Sequence, residues 1–574
     1  MWKNKENIII KYYKKEKGLL CAFIFFNIAV TVLDLTAPLV VKNIIDSAIP
    51  EKNIKILLTL TSFALFLYGV RTLFAVMSFS RGQLMGNKIK YHMRNDLFSH
   101  FLKQSHNFFN KKDIGDLIAR TTSDLESSSQ LLYRGLQDLL ASAGSLIGGF
   151  ALMFLYSPLL AFITFVPLPA GLVFVYTKNK KMKAGYREIR KKNGNFTAVL
   201  YEILKVILFL KDNLLEEKAY KKFLKANDEL LKTEKKNFLN VGIFMAGVTF
   251  YVHLTQLILI GAGGILFIKE KITIGVIVSF LLLVDRFKIS LIKLAGLTDT
   301  YHKGCAGINR FEEMLNIDLS LPDGTEELKD EFKILEFKNV SFSYSKDFPI
   351  LNNLSFKIKK GEKIAVVGKS GTGKTTLMNL IKRNYFADTG SISINNIDYK
   401  NLTRKSVLSL MGVIEQKENL LEDTIENNIG IVSENFSEND IKKSSEKADI
   451  SETIERLPEK YKTILGSRGT ALSTGQSQRI SLARVFLKNP EIILLDEATS
   501  GLDNISEAKI MENINEQFKE KTIIAVTHRL SITKNFDKIF VLGKNGITES
   551  GTYEELVNKK GDFYNILQGN EKEI

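Results

Sequence analysis

Cysteine is almost absent from this sequence, since only Cys21 and Cys305 occur among 574 residues. Two cysteines are too few for a disulfide framework or a thiolate-bound metal cluster, so small secreted scaffolds are excluded. Glycine and proline, at 38 and 9 residues, are too scarce for collagen, and a hydrophobic content of 45% excludes an intrinsically disordered chain. The length instead allows two or three ordinary domains.

Acidic residues are fewer than basic ones: 63 aspartates and glutamates stand against 79 lysines and arginines, which leaves a formal net charge of +16. The whole excess falls in residues 1–17, 80–131 and 178–239, which contribute +4, +3 and +9. A basic chain suggests nucleic acid as a partner, but these stretches bracket long apolar runs. That arrangement is typical of the cytoplasmic face of a membrane protein, and we expect no nucleic-acid partner.

Long apolar runs fill the first half of the chain, near residues 18–41, 55–79, 132–176, 240–268 and 273–295. A bilayer core of about 30 Å needs about 20 helical residues, so the double-length run predicts two spans joined at Ser157-Pro158. The prediction is therefore six spans. Placing the basic stretches inside puts both termini in the cytoplasm.

The first apolar run has an alternative interpretation as a cleaved signal peptide, because Lys3, Lys5 and Lys11 precede it. We favour a membrane span, since the run exceeds a signal core of about 7–15 residues and no A-x-A-like site follows it. Residues 1–17 mix isoleucines with lysines and tyrosines, which predicts an amphipathic helix along the membrane surface.

The basic inside stretches show helical periodicity, for example at Met93–Leu102 and Ala198–Asn227. We therefore expect the spans to continue as helices well into the cytoplasm. Separate small surface helices are the alternative.

Several polar groups fall within or near the apolar runs. A charge at mid-bilayer costs about 2.5–3.5 kcal/mol on insertion scales, so each group is a candidate for lining a substrate path. Groups near a span end avoid most of that cost by snorkelling. Both signs are present, so no substrate charge follows from the sequence. The groups are Asn27, Asp34, Arg71, Asp138, His253, Gln256, Asp285 and Arg286.

The chain changes character near residue 333, where short apolar strands begin to alternate with helices and turn residues. Leu321–Gly324 and the acidic residues after it predict a linker. The predicted organisation is a basic N-terminal segment (1–17), a six-helix membrane domain (18–318), a linker (319–332) and an α/β nucleotide-binding domain (333–574).

A glycine-rich loop follows the predicted strand Ile364–Val367 and fits the pattern G-x-x-x-x-G-K-[ST]. Its backbone N–H groups and the helix N-terminus behind it can bind phosphates. Lys374 can reach the β- and γ-phosphates of ATP, and Thr375 can bind Mg²⁺. The residues predicted to bind nucleotide here are Gly368, Ser370, Gly371, Thr372, Gly373, Lys374, Thr375 and Thr376.

A second predicted strand, Ile492–Leu495, ends in Asp496-Glu497. Asp496 is the candidate Mg²⁺ ligand, usually through water. Glu497 is the candidate general base that polarises the attacking water.

Leu472-Ser473-Thr474-Gly475-Gln476 resembles the signature motif of ATP-binding-cassette (ABC) proteins, usually written LSGGQ. Six spans followed by one such cassette look like a half-transporter of the exporter type. The resemblance implies an α-helical transmembrane domain, followed by an α/β P-loop cassette with a helical subdomain around residues 420–490. It also implies ATP and Mg²⁺ as ligands.

Three further residues match family positions with known roles. Tyr344 resembles the aromatic residue that stacks on adenine. Gln416 resembles the glutamine that contacts Mg²⁺ and the attacking water. His528 resembles the switch histidine that hydrogen-bonds the γ-phosphate.

The resemblance also implies a dimer of half-transporters, because the signature motif completes the ATP site of the opposite protomer. Ser473 and Gly475 would contact the partner's γ-phosphate, and Asp503 would lie across the same interface. A homodimer is favoured, and a heterodimer with one weakened ATP site is the alternative.

Short segments of the inside loops resemble the family's coupling helices, near His106–Lys112 and Phe209–Lys218. Gly115-Asp116-Leu117, with Arg120 and Asp124, resembles a stretch common in exporters just after the first of these. Packing on the surface is the alternative role for those residues.

The resemblance implies an ATPase that exports or flips an amphipathic small molecule, lipid or peptide out of the cytoplasm by alternating access. An ATP-gated channel or sensor is the alternative. Richness in lysine, asparagine and isoleucine indicates an AT-rich bacterial genome, so we expect a multi-pass protein of a bacterial plasma membrane in contact with lipid.

The sequence departs from the family pattern at two positions: Thr474 replaces a signature glycine, and Glu415 replaces the usual proline before Gln416. The Cβ of Thr474 adds bulk where the backbone must approach phosphate. If the signature limits turnover, Thr474→Gly raises the Mg-ATPase rate of the purified chain. An unchanged rate would count against that limit.

Overall fold

A computed structural model describes residues 2–318, 320–344, 349–415, 420–466, 472–497, 504–543 and 546–571. The chain divides into two compact units. The helical unit comprises Met1–Leu102 and Asp113–Ile317. The sheet unit comprises Lys103–Lys112 and Asp318–Ile574. The short segment Lys103–Lys112 thus packs with the sheet unit, although the chain on both sides of it belongs to the helical unit.

The helical unit is built from long helices joined by short turns. Its helices are α1 (Trp2–Lys15), α2 (Lys17–Asn43), α3 (Ile54–Leu102), α5 (Ile114–Ala119), α6 (Leu125–Gln130), α7 (Leu136–Tyr156), α8 (Pro158–Phe165), α9 (Leu168–Lys205), α10 (Ile207–Asp212), α11 (Glu216–Ile268) and α12 (Ile274–Asn316), while α4 (His106–Lys111) lies in the sheet unit. Short π-helical turns at Ile44–Ala48, Arg120–Asp124 and Leu131–Gly135 extend α2 and join α5, α6 and α7.

Five helical stretches of the described residues are long and apolar enough to cross a membrane: Lys17–Ala48, Ile54–Leu102, Ile114–Tyr156, Pro158–Lys205 and Glu216–Ile268. Helix α12 is long enough, at 43 residues, but it carries Asp285, Arg286, Lys288 and Lys293 within its first half. The membrane-spanning architecture is confirmed, and the count of six spans stays a prediction.

The helices extend far beyond the length of one span, as the periodicity of the inside stretches predicts. Helix α3 has 49 residues and α11 has 53, whereas a bilayer core needs about 20. The alternative of separate small surface helices is wrong for Met93–Leu102, which completes α3, and for most of Ala198–Asn227, which lies in α9 and α11.

The double-length apolar run is broken where the sequence predicts it. Helix α7 ends at Tyr156 and α8 begins at Pro158, with Ser157 as N-cap, whose hydroxyl accepts a hydrogen bond from Leu160 N–H at 3.3 Å. A proline at the first helical position suits such a start because its missing N–H needs no partner there.

The surface of the helical unit is apolar over its predicted spans. Leu65, Leu155 and Phe162 each expose at least 74% of their surface. Large exposed apolar side chains in such numbers are typical of a membrane-spanning unit.

The amphipathic N-terminal segment is helical and fixed to α3. The buried Tyr12 hydroxyl donates to Asp96 at 2.8 Å, and Lys11 lies 3.3 Å from the same carboxylate. Its position on a membrane surface stays a prediction.

The described residues of the sheet unit form ten strands in two sheets. The strands are β1 (Ile334–Ser343), β2 (Pro349–Lys359), β3 (Lys363–Val367), β4 (Thr389–Ile394), β5 (Ile397–Asp398), β6 (Met411–Ile414), β7 (Ile492–Asp496), β8 (Thr522–Val526), β9 (Lys538–Gly543) and β10 (Gly546–Gly551). An antiparallel sheet has the order β2-β1-β4-β5. The main sheet has the order β10-β9-β3-β8-β7-β6, and all its pairs except β10 with β9 are parallel.

The central strands are apolar on both faces because the sheet is covered on both sides. Along β3, Ala365 and Val367 join one hydrophobic core, and Ile364 and Val366 join the other. This alternation is the period-two pattern of a strand, and β7 and β8 likewise contribute alternate side chains to the two cores.

Helices surround the main sheet, and those between β6 and β7 correspond to the predicted helical subdomain. They are α13 (Lys374–Ile381), α14 (Arg404–Ser409), α15 (Ile425–Gly430), α16 (Glu438–Lys447), α17 (Ser451–Glu455), α18 (Thr474–Lys488), α19 (Asn504–Gln517), α20 (Tyr553–Lys559) and α21 (Asp562–Glu571), with 3₁₀ turns at Lys460–Lys462 and Leu530–Asn535. Helices α15 to α18 lie between β6 and β7, where the sequence predicts the helical subdomain.

The segment predicted as a linker is anchored to the sheet unit. The Arg383 guanidinium is fully buried and donates to the Asp323 carboxylate at 2.8 Å and to the Pro322 carbonyl at 3.2 Å. Burial alone would raise the pKa of Asp323, but the bonds from Arg383 and from the Arg404 N–H outweigh it and hold that pKa below its usual range.

Replacing Asp323 tests this anchor. Asp323→Asn should lower the free energy of unfolding by about 1 kcal/mol, since the carboxylate is 60% exposed and its charge is partly screened. Because the folded-state pKa is lowered, the stabilisation is present above about pH 4 and disappears as the pH falls through the folded-state pKa.

The measurement is the thermal midpoint of the full chain in detergent, expected to fall by about 2–4 °C at pH 7 and by much less at pH 3. Asp330→Asn, at a carboxylate with 74% exposure, is the matched control. Equal shifts for the two variants at pH 7 would contradict the anchor.

Candidate active site

Three parallel strands bring the predicted catalytic residues to one edge of the main sheet. Strand β8 lies between β3 and β7, and Val526 pairs with Val366 on one side and with Asp496 on the other. The chain therefore leaves all three strands at neighbouring points of the same edge. β3 continues into the phosphate loop, β7 into Glu497, and β8 into His528.

The phosphate loop leads directly into α13, which begins at Lys374. Its N-cap is Gly373, which has no side chain to cap the first N–H groups, so they remain available for an anion. Thr375 is exposed at the second helical position, whereas the Thr372 and Thr376 side chains are buried. Gly371 and Gly373 adopt φ of +81° and +98°, the left-handed region that favours glycine.

Lys374 folds back over this loop. Its amine donates to the carbonyls of Gly368 at 2.9 Å and Lys369 at 3.1 Å. Burial lowers the pKa of Lys374, and the carboxylates of Glu497 and Asp496 oppose that effect. The cation is thus held beside the loop that would receive phosphates.

Glu497 and His528 contact each other across the ends of β7 and β8. Glu497 Oε1 lies 3.0 Å from His528 Nε2, and the Glu497 N–H donates to Val526 O at 3.0 Å. Glu497 adopts φ of +50°, a strained conformation for a residue other than glycine. The turn after β8 is fixed by the Thr527 hydroxyl, which accepts from Arg529 N–H at 2.9 Å.

The half-buried Asp496 carboxylate and the exposed Thr375 hydroxyl fit a Mg²⁺ site, since hard oxygen donors are the ligands that this ion prefers. Burial raises the pKa of Asp496, and the positive charges of Lys382 and Lys374 oppose the rise. A bound cation would favour the ionised carboxylate in the same way.

Tyr344 directly follows β1, at the end of the described segment 320–344. Its ring is 43% exposed and meets the rings of Phe342 and Tyr385 edge-on, at 5.0 and 5.1 Å between centroids. The ring is therefore supported by two aromatic neighbours, while part of its surface remains accessible to a ligand.

The signature segment begins α18. Ser473 is the N-cap in a reciprocal capping box with Gln476: its hydroxyl oxygen accepts from Gln476 N–H, and Gln476 Oε1 accepts from Ser473 N–H at 2.9 Å. Among the described residues, no group accepts a hydrogen bond from the Ser473 hydroxyl. Thr474 is an exposed first helical residue, and Gly475 follows within the same turn. Within its own chain, the threonine side chain is thus accommodated.

Two predicted site residues, Gln416 and Asp503, lie outside the described residues. Gly368 approaches β9 closely, since a Cβ there would lie 2.5 Å from the Leu542 carbonyl. Ser370 is exposed on the loop.

The structure also shows contacts that the sequence does not indicate. Glu415 forms an ion pair with Lys382 at 2.8 Å, so a charged pair stands where the family has proline. In the helical unit, Asp116 accepts from Arg120 at 3.0 Å, and Asp124 accepts two hydrogen bonds from Arg310. Arg310 lies 186 residues from Asp124, and no local pattern points to such a partner.

This fold and site define a phosphate-loop ATPase joined to a membrane-spanning helical unit. Residues 20–287 match the family model of the ABC transporter transmembrane region, and residues 351–500 match the model of the ABC transporter. The chain belongs to the ABC transporter family. It is an exporter-type half-transporter, an ATP-binding and multi-pass membrane protein whose ATPase activity is coupled to transport.

Related proteins match over nearly their full length. An uncharacterized ABC transporter ATP-binding protein, YwjA of Bacillus subtilis, is 30% identical over 97% of this chain and 97% of its own. An ATP-dependent lipid A-core flippase of Syntrophus aciditrophicus is 31% identical over 92% of this chain and 88% of its own. The structure of a bacterial Atm1-family ABC exporter with ATP bound superimposes with a TM-score of 0.79, at 24% identity, over 96% of this chain and 98% of that chain.

The two loop glycines allow a matched test of the phosphate loop. A Cβ at Gly373 would lie 2.9 Å from both Ile350 and Leu351, whereas a Cβ at Gly371 meets no atom within 4 Å. Both substitutions to alanine carry left-handed strain of about 1–2 kcal/mol. Gly373→Ala adds a steric conflict, so its thermal midpoint without nucleotide should fall further than that of Gly371→Ala. Equal falls would contradict the packing around Gly373.

Proposed function

We propose that this chain works as a dimer of half-transporters, with two ATP sites that each combine the phosphate loop of one protomer with the signature segment of the other. The observation that carries the proposal is the strand register of β3, β8 and β7, which sets the phosphate loop, Glu497 and His528 at one sheet edge. In this proposal the adenine of ATP stacks on Tyr344.

Each residue at the edge has one task in the proposed reaction. The loop N–H groups and Lys374 bind the β- and γ-phosphates, and Gly368, Ser370 and Thr376 shape the loop. Thr375, Asp496 and Gln416 would hold Mg²⁺, which would supply positive charge beside the phosphates. Glu497 accepts a proton from the attacking water, and His528 positions the γ-phosphate.

The proposed dimer is supported by groups that one chain leaves unused. Within the described part of the chain, the Ser473 hydroxyl donates to no other group and could donate to a γ-phosphate, and Gly475 nearby adds backbone without a side chain. Asp503 would contact the same interface. On α10, Leu208 and Phe209 expose 73% and 61% of their surface, which suits coverage by a second chain.

The proposed cargo is an amphipathic compound, lipid or peptide that moves out of the cytoplasm by alternating access. One relative is named as a lipid A-core flippase, and a Staphylococcus aureus relative, 29% identical over 97% of this chain, is named as a putative multidrug export protein. The basic stretches favour a bacterial plasma membrane with both termini in the cytoplasm.

The first experiment is to purify the full chain in lipid nanodiscs and record its mass and Mg-ATPase rate beside Glu497→Gln. We expect a dimer whose rate falls by about 10²–10⁴-fold in the variant, because a general base contributes about that much. Glu459→Gln, at an exposed carboxylate of the sheet unit, is the matched control and should keep the wild-type rate.

The outcomes separate the alternatives. A monomer, or a dimer without activity, would replace the homodimer by a heterodimer with a different second chain. Wild-type activity in Glu497→Gln would contradict the role of Glu497.

A further inference from the structure

A polar cavity of about 270 Å³ lies inside the helical unit, between α2, α3, α7 and α12. Its charged lining residues are Asp34, Arg71, Arg286 and Lys293. Asp34 lies near the middle of the first predicted span, and α12 contributes Arg286 and Lys293 two helical turns apart on one face. Charged groups in such a position mark a functional site in a membrane protein.

The single carboxylate of this cavity is already occupied. Arg71 Nε and Nη2 lie 3.0 and 3.3 Å from the two oxygens of Asp34, and Arg286 Nη1 lies 3.1 Å from Oδ1. One negative charge therefore holds two guanidinium groups. Among the described residues, Lys293 has no ion-pair partner, so three cations and one carboxylate leave the cavity with a net charge of +2. The lining residues therefore give the cavity a positive net charge, which the mixture of both signs in the sequence does not predict.

Two uncharged hydrogen-bond donors also favour an anionic ligand in this positively charged cavity. The Ser78 and Ser142 hydroxyls line the cavity, are buried, and have no hydrogen-bond partner among the described residues. Buried hydroxyls are normally paired, so two unpaired ones that face a positively charged cavity fit a ligand with acceptor oxygens.

A second, larger cavity of about 760 Å³ continues along α12 and carries the same sign. Lys183, Arg187 and Arg190 line it from one face of α9 and have no ion-pair partner within the described part of the chain. Phe244, Met245 and Ile292 give it an apolar wall. Because Ile292 and Lys293 are neighbours on α12, the two cavities adjoin the same helix.

We propose that these cavities bind the anionic headgroup and the apolar chain of a phosphate- or carboxylate-bearing amphiphile, which is then the cargo of the proposed exporter. The headgroup replaces Asp34 as the partner of Arg71 and Arg286 and also pairs with Lys293. The apolar wall of the larger cavity receives the chain. This inference rests on the proposed export function.

The test is equilibrium binding of radiolabelled dodecyl phosphate to the full chain in phosphatidylcholine nanodiscs without nucleotide, after subtraction of empty nanodiscs. Arg286→Gln and Lys293→Gln should each weaken binding by about tenfold, which is typical of a lost charged hydrogen bond. Asp34→Asn should tighten binding, because it frees two guanidinium groups. Arg81→Gln, at an exposed arginine of α3 outside the cavity, is the matched control and should bind as the wild type does.

Two other probes identify the ligand class. Dodecyltrimethylammonium should bind at least tenfold more weakly than dodecyl phosphate, and butyl phosphate should also bind weakly. Equal binding of the ammonium probe, or unchanged binding in Lys293→Gln, would overturn the anionic site. Butyl phosphate bound as tightly as dodecyl phosphate would overturn the amphiphile and indicate a site for free phosphates.

The experiment distinguishes loss of binding from misfolding of a variant, and it distinguishes failure of the binding site from failure of the proposed export function. Lys293→Gln removes no ion pair, so its elution volume and thermal midpoint should match the wild type even if Arg286→Gln fails to fold. Binding is measured without ATP, so an inactive wild-type ATPase would overturn the proposed function while leaving the binding result readable.

Discussion

The parallel register of β3, β8 and β7 is the constraint on which the nucleotide site depends. Each strand is buried on both faces by alternating side chains, so its end cannot shift without disrupting two hydrophobic cores. The phosphate loop, Glu497 and His528 all begin where these strands end. A phosphoryl-transfer site needs accurate positioning more than it needs unusual side chains. The sheet supplies that positioning before any ligand arrives.

Much of this site could be predicted from the sequence because its residues lie in short contiguous motifs. The glycine-rich loop, Asp496-Glu497 after β7 and the break at Ser157 each combine a strand or helix boundary with residue types that suit it. The long helical extensions follow from periodicity. Whether α12 spans the membrane is less clear from its hydropathy. Arg286 and Lys293 lower the mean hydropathy of this helix, and both line the cavity inside the unit.

The contacts that sequence reasoning missed join residues far apart in the chain. No rule of sequence spacing predicts the ion pairs Asp124–Arg310, Lys382–Glu415 and Asp34–Arg286. The sequence alone does not distinguish these carboxylates from solvated surface charges, because their cationic partners are brought close only by the fold. The net charge of the cavity in the helical unit depends on which charged residues the fold brings to its lining, so the list of polar residues in the sequence could not reveal it.

The segment Lys103–Lys112 gives the ATPase a physical connection to the membrane helices. It packs with the sheet unit while α3 and α5 on either side belong to the helical unit. Within the sheet unit, Asn110 donates to the Tyr385 hydroxyl at 3.0 Å, and the Tyr385 ring meets that of Tyr344. Burial lowers the pKa of His106, and the nearby charges of Arg404 and Lys382 lower it further.

Lys382 is also the partner of Glu415, the residue before Gln416. Tyr385 therefore contacts both this segment and Tyr344 at the proposed adenine site, while Lys382 contacts the residue that precedes Gln416 in the chain. The segment is covalently continuous with α3 and α5, so the chain itself links the sheet unit to the ends of those two helices. One ten-residue segment therefore belongs to the sheet unit by its packing and to the membrane helices by the continuity of the chain.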